Sequence, residues 1–113
     1  MPKLTEKQTE KYSRQIIIEK IGMSGQKKIF NSSVCIVGCG GLGSSAAQYL
    51  SMTGVGNIML IDHDLINLSN LNRQTLFFEK DIGKYKVDTL QKNLKEINPE
   101  AKIEISKRKI NKK

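Results

Sequence analysis

Residues 33–43, Ser-Val-Cys-Ile-Val-Gly-Cys-Gly-Gly-Leu-Gly, constrain the fold more than any other part of the chain. Ser33 to Val37 is a short apolar run with β-branched members, which reads as a buried strand. Gly38, Gly40 and Gly43 follow at once in the G-x-G-x-x-G spacing. Residues 42–53 then read as a helix, with Leu42, Ala46, Ala47 and Leu50 on one face and Gly54 and Gly56 closing it. A strand that turns through glycines into a helix suits phosphate. Backbone without Cβ atoms can approach an anion closely, and a helix start offers free N–H groups and partial positive charge. The spacing alone is weak evidence, because many glycine-rich turns match it. Its position between strand and helix carries the reading, and it makes Gly38, Gly40, Gly41, Leu42 and Gly43 candidate ligand contacts.

The second strand, Asn57 to Ile61, ends at Asp62, 19 residues beyond Gly43. A carboxylate there can accept from both hydroxyls of a ribose. Asp64 is equally well placed by sequence. Loop and acid together point to a nucleotide without deciding between a dinucleotide and ATP. Residues 62–82 show neither period and are rich in Asp, Asn and Ser, which predicts a long functional loop. Phe77 and Phe78 are expected to pin that loop to the core, and His63 to be structural or solvated. Gly83-Lys84 is not a P-loop, because position 78 is Phe and position 85 is Tyr. Residues 84–97 carry Val87, Leu90, Leu94 and Ile97 at helical spacing, with Pro99 beyond, and Ala101 to Ser106 alternates as a third strand. Upstream, residues 5–21 predict one helix with Thr5 as N-cap and Gly22 at its end, and Gly25 to Phe30 a further turn or two.

Alternating strands and helices predict an α/β chain. The expectation is a Rossmann-like parallel sheet with helices on both faces, preceded by an N-terminal helical arm. The arm is placed at residues 1–32 and the nucleotide-binding unit at 33–113. Three strands make half of a doubly wound sheet, so that unit is expected to be incomplete. Composition excludes several classes. No apolar stretch approaches the ~20 residues of a membrane span, and the charged N-terminus is no secretory signal. Two cysteines do not make a disulfide framework, so a cytoplasmic, reducing location is expected. Cys35 is expected in the core, and Cys39 to be a small packed residue of the glycine loop. The net charge is +8, with five basic residues between Lys107 and Lys113. No aromatics interleave them, so the tail reads as solvated, with no nucleic-acid partner.

The loop downstream of Asp62 separates the nucleotide classes. A dinucleotide site holds its pyrophosphate largely with neutral backbone, whereas cleaving ATP between its α- and β-phosphates requires cations. The chain has Arg73 within Ser69-Asn70-Leu71-Asn72-Arg73-Gln74, and Lys86 within Gly83-Lys84-Tyr85-Lys86. With Tyr12-Ser13-Arg14-Gln15 and Gly38 to Ser44, these segments resemble the ThiF/MoeB/HesA family, bacterial relatives of ubiquitin-activating enzymes. The resemblance covers nearly the whole chain, in order and spacing. It implies ATP-dependent adenylation of the C-terminal glycine of a ThiS- or MoaD-like ubiquitin-like sulfur carrier. In that frame the glycine loop packs on the nucleotide and Asp62 holds the ribose. Ser69, Asn70, Leu71, Asn72 and Arg73 line the phosphate side, and Lys86 stabilises departing pyrophosphate. Arg14 would enter a neighbouring subunit's site, so a homodimer is implied. The resemblance puts the Mg²⁺ ligand beyond this chain's end. The two Cys-x-x-Cys zinc pairs of many relatives do not occur in this sequence. The alternatives are a fragment of an NAD- or FAD-dependent oxidoreductase and a non-catalytic dimerisation fragment.

Overall fold

The computed structural model describes residues 3–71 and 76–109. Upstream of the sheet lie α1 (Glu6–Lys11), α2 (Ser13–Ile16) and α3 (Gly22–Phe30). Thr5 caps α1 as expected: its hydroxyl accepts from the Gln8 amide at 3.1 Å, and the Gln8 side chain accepts from the Thr5 amide at 2.9 Å. The single helix expected over 5–21 is not formed. Successive residues of a helix point about 100° apart, so Ile16, Ile17 and Ile18 cannot share one buried face. Ile17 is 76% exposed, and the chain breaks at Tyr12, whose ring is buried instead. Gly22 does not end a helix but opens α3, with φ at +58°.

The sheet holds β1 (Ser33–Val37), β2 (Asn57–Ile61) and β3 (Lys102–Ser106), all parallel, in the order β1-β2-β3. The register aligns Val34 with Ile58 and Ile103, and Ile36 with Leu60 and Ile105. These six face α4 (Gly41–Thr53) and α5 (Lys86–Ile97), where Ala47, Leu50, Val87, Leu90 and Leu94 complete one core. The Rossmann-like parallel sheet is therefore present, with α4 and α5 layered on the same face. On the opposite face Cys35, Val37, Lys102 and Glu104 are exposed, and Cys35, Lys102 and Glu104 border a shallow hollow of about 350 Å³. Cys35 is thus not a core residue. Alternation along β1 sends it to the face opposite Ile36.

The long loop after β2 packs more than its composition suggests. Ile66 and Phe77 are buried in the core, while Phe78 is exposed, so one phenylalanine pins the loop rather than two. Two single 3₁₀ turns, Leu68–Asn70 and Glu79–Asp81, punctuate it. Hydrogen bonds from the Ile66 amide to the Lys84 carbonyl (2.8 Å) and from the Gly83 amide to the Ile66 carbonyl (2.9 Å) fold it back to the start of α5. No helix among the described residues is long and apolar enough to cross a membrane.

Candidate functional site

The glycine loop divides into glycines the fold requires and glycines that face open space. Gly38 turns the chain out of β1 with φ at +90°, a conformation unfavourable for other residues. At Gly43 a Cβ would sit 1.7 Å from the Gly38 carbonyl oxygen, so the start of α4 lies directly on the end of β1. At Gly40 and Gly41 a Cβ would meet nothing within 4 Å. Those two positions present bare backbone outward at the N-terminus of α4. Its N-cap residue, Gly40, has no side chain to cap this end, and no acidic residue occupies its first turn. Leu42 is 91% exposed, so its contribution to the loop is backbone. The first-turn N–H groups have no partner within the helix and carry its positive dipole end, which suits an anion.

Asp62 fastens this loop to the end of β2. One carboxylate oxygen accepts from the Cys39 amide at 2.6 Å, and the other from the Asp64 amide at 2.7 Å. Asp62 is buried, 9% exposed, whereas the Asp64 side chain lies out and pairs with His63 at 3.2 Å. The two acids that the sequence left equivalent are therefore distinct. Lys86 opens α5 only 7% exposed, and its amide donates to the Asp64 carbonyl at 3.1 Å. The Cys39 thiol reports on the surroundings. Burial, then the charge of Asp62, push it up to about 12 against the opposing pull of Lys86. Asp62 and Lys86 thus both act on the interior of the glycine loop.

Burial outweighs any lowering of the Cys39 pKa by the helix terminus, and the residue is a packed thiol. At pH 8 a thiol reagent is expected to label Cys35 in the folded chain and Cys39 only after unfolding. Equal labelling of both without denaturant would contradict this. The folded state keeps the Cys39 proton above the ordinary thiol value of 9.0, where the unfolded chain releases it. Stability from this group therefore falls as pH rises from about 9 towards 12.

The remaining candidates divide. Ser69 and Asn70 lie in the 3₁₀ turn after β2, where the Asn70 side chain accepts from the Asn67 amide at 2.8 Å, and Leu71 follows half-buried. Asn72 and Arg73 lie outside the described residues. Arg14 is exposed on α2 and is not gathered at the glycine loop. Two residues escaped the sequence reading. A cleft of about 260 Å³ at the ends of β1 and β2 is lined by Gly38, Asp62, His63 and Asp64, and also by Arg108 and Lys109 from beyond β3. Lys107 anchors that segment to α5, 4.5 Å above the Tyr85 ring and 3.1 Å from the Asp88 carboxylate. The basic tail is therefore held against the site up to residue 109. Nothing in the sequence pairs Lys107 with positions 85 and 88.

Ligand atoms of Asp62, His63 and Asp64 lie within 4.8 Å of one another. Mg²⁺ takes oxygen ligands, whereas His63 offers nitrogen and pairs with Asp64, so the group does not fit a resident Mg²⁺ site.

The ThiF family matches residues 12–113. The molybdopterin-synthase adenylyltransferase of Escherichia coli K12 is 44% identical over 103 residues, which cover 91% of this chain and 41% of that protein. The sulfur carrier protein ThiS adenylyltransferase of the same strain is 45% identical over 93 residues, covering 82% of this chain and 37% of that one. The chain thus spans less than half the length of these relatives. Among solved structures, E. coli MccB with ATP superposes with a TM-score of 0.82 at 36% identity, over 90% of this chain and 31% of that one. E. coli tRNA N6-threonylcarbamoyladenosine dehydratase, TcdA, in complex with AMP gives 0.88 at 27% identity, over 96% and 44%.

Proposed function

The chain belongs to the ThiF family, and from that premise we propose that it carries the nucleotide-binding part of an ATP-dependent adenylating enzyme. The substrate is the C-terminal glycine carboxylate of a ubiquitin-like sulfur carrier. The observation that carries the reading is the uncapped start of α4, open at Gly40 and Gly41, beside buried Asp62 and buried Lys86. An open helix start and a buried cation suit a polyphosphate. The carboxylate oxygen attacks the α-phosphorus, a carboxyl–phosphate bond forms, and the bond to the β-phosphate oxygen breaks with release of pyrophosphate. No general base is needed, because a C-terminal carboxylate is already ionised at neutral pH. The α4 N–H groups hold phosphate oxygens, and Lys86 offsets the charge gathering on the leaving group. Asp62 takes the ribose, and the cleft under Arg108 and Lys109 accommodates the base.

Arg14 belongs to a second copy's site in this reading. The arm contacts the C-terminal end of α4, and the nucleotide lies at the N-terminal end. Thirteen residues of helix separate the two ends, roughly 20 Å at 1.5 Å per residue. That is too far for one side chain, so an Arg14 that touches nucleotide touches a partner's.

Calorimetric titration of the purified chain tests the assignment. ATP is expected to bind in preference to NAD, and Lys86→Met to weaken ATP by about ten- to a hundredfold, the worth of a charged hydrogen bond. Preference for NAD, or an unchanged ATP affinity in the variant, would overturn it.

A further inference from the structure

Tyr12 and Gln15 flank Arg14 by two residues and one, and both are fixed to the far end of α4. The Gln15 side-chain amide donates to the Gln26 side-chain oxygen at 2.6 Å and to the Thr53 carbonyl at 3.0 Å. The Gln26 amide donates to the same carbonyl at 2.9 Å, and Gln26 is fully buried. The Tyr12 ring packs on Gly54, where even a Cβ would come within 2.9 Å of the ring and 2.7 Å of the Gln26 nitrogen. The Thr53 carbonyl closes α4, at the negative end of its dipole, and two amide donors converge on it. A glutamine with no exposure is costly to bury unless its amide is used, and here it is.

We propose that Gln15 and Gln26 are positioning residues. They lock the turn that carries Arg14 to the nucleotide-binding helix, so that Arg14 projects at a fixed angle towards a second copy's nucleotide. The proposal rests on the reading of Arg14 given above. It differs from a purely stabilising role in one respect: the clamp matters in the subunit that lends Arg14 and not in the subunit that receives it.

Mixed dimers separate the two. A chain with Arg14→Ala keeps Lys86, and a chain with Lys86→Met keeps Arg14, so co-refolding the pair is expected to regain, at one site of the mixed dimer, the ATP affinity that each variant has lost alone. A donor carrying Lys86→Met with Gln26→Met is expected to lose that rescue, while Gln26→Met in the Arg14→Ala acceptor leaves it intact. Thermal melts confirm that each chain folds. Gln15→Met, half-buried, carries the same expectation where Gln26→Met does not fold. Undiminished rescue by the Gln26→Met donor, or equal loss from either side, overturns the positioning role and leaves the assignment of Arg14 standing. Absence of rescue by the simple Lys86→Met donor overturns that assignment, and the positioning role with it.

Discussion

Gly43→Ala is expected to unfold the glycine loop and abolish ATP binding, whereas Gly41→Ala keeps the fold and loses only the ligand. The added methyl at position 43 would stand 1.7 Å from the Gly38 carbonyl oxygen, and both partners are backbone. No rotamer relieves that contact, so α4 must lift from β1. Overpacking of this kind costs roughly 1–3 kcal/mol where side chains can yield, and more where they cannot. A small domain has about 5–15 kcal/mol in total. The expected outcome is a drop in melting temperature of about 10 °C or more. At Gly41 the methyl meets nothing within 4 Å, so stability is expected to stay within about 0.5 kcal/mol. That same methyl would stand where phosphate is expected to approach. Thermal melts and ATP titration of both variants check the pair. A Gly43→Ala chain that melts and binds like wild type would refute the packing argument, and a Gly41→Ala chain that binds normally would refute the placement of phosphate.

The parts of the molecule legible in the sequence are those fixed by neighbouring residues. The three strands, α4, α5 and the Thr5 cap lie within a residue or two of their expected places, but the expected face of α4 does not hold: Leu42 and Ala46 are exposed, and Ser44 and Ser51 are buried beside Ala47. The break at Tyr12 was not legible, because it depends on the ring finding Gly54 and on Gln15 finding Thr53, contacts about 40 residues apart in sequence. The exposure of Cys35 depends on which face of β1 the two helices cover, and a five-residue apolar run does not encode that choice. The placement of Arg108 and Lys109 beside Asp62 needs both the sheet order and the Lys107 anchor. The site shows the same division. The glycine loop and Asp62 are legible from spacing, while the burial of Lys86 depends on α5 beginning under the Asp64 carbonyl, a contact that spacing does not encode.

Asp62 and Asp64 show how the fold separates residues that the sequence treats alike, and they yield the second large expected effect. Asp62→Ala strands two backbone amides, those of Cys39 and Asp64, and the first of these bonds is buried. Leaving a buried donor unsatisfied costs about 1–3 kcal/mol, and charge-assisted bonds stand at the upper end. A loss of about 3 kcal/mol is therefore expected in a urea melt, together with loss of ATP binding, since the same carboxylate fixes the loop and is read as the ribose acceptor. Asp62→Asn distinguishes the two duties. Its single side-chain oxygen can serve one amide, while its NH₂ group faces the other as a second donor. It is expected to recover part of the stability and little of the binding. Asp64→Ala removes an exposed carboxylate whose partner is the half-exposed His63, and is expected to change stability by less than about 0.5 kcal/mol. Equal losses for Asp62→Ala and Asp64→Ala would contradict the geometry. A full loss of binding with undisturbed stability in Asp62→Ala would mean that the carboxylate serves the nucleotide alone and the loop holds its shape without it.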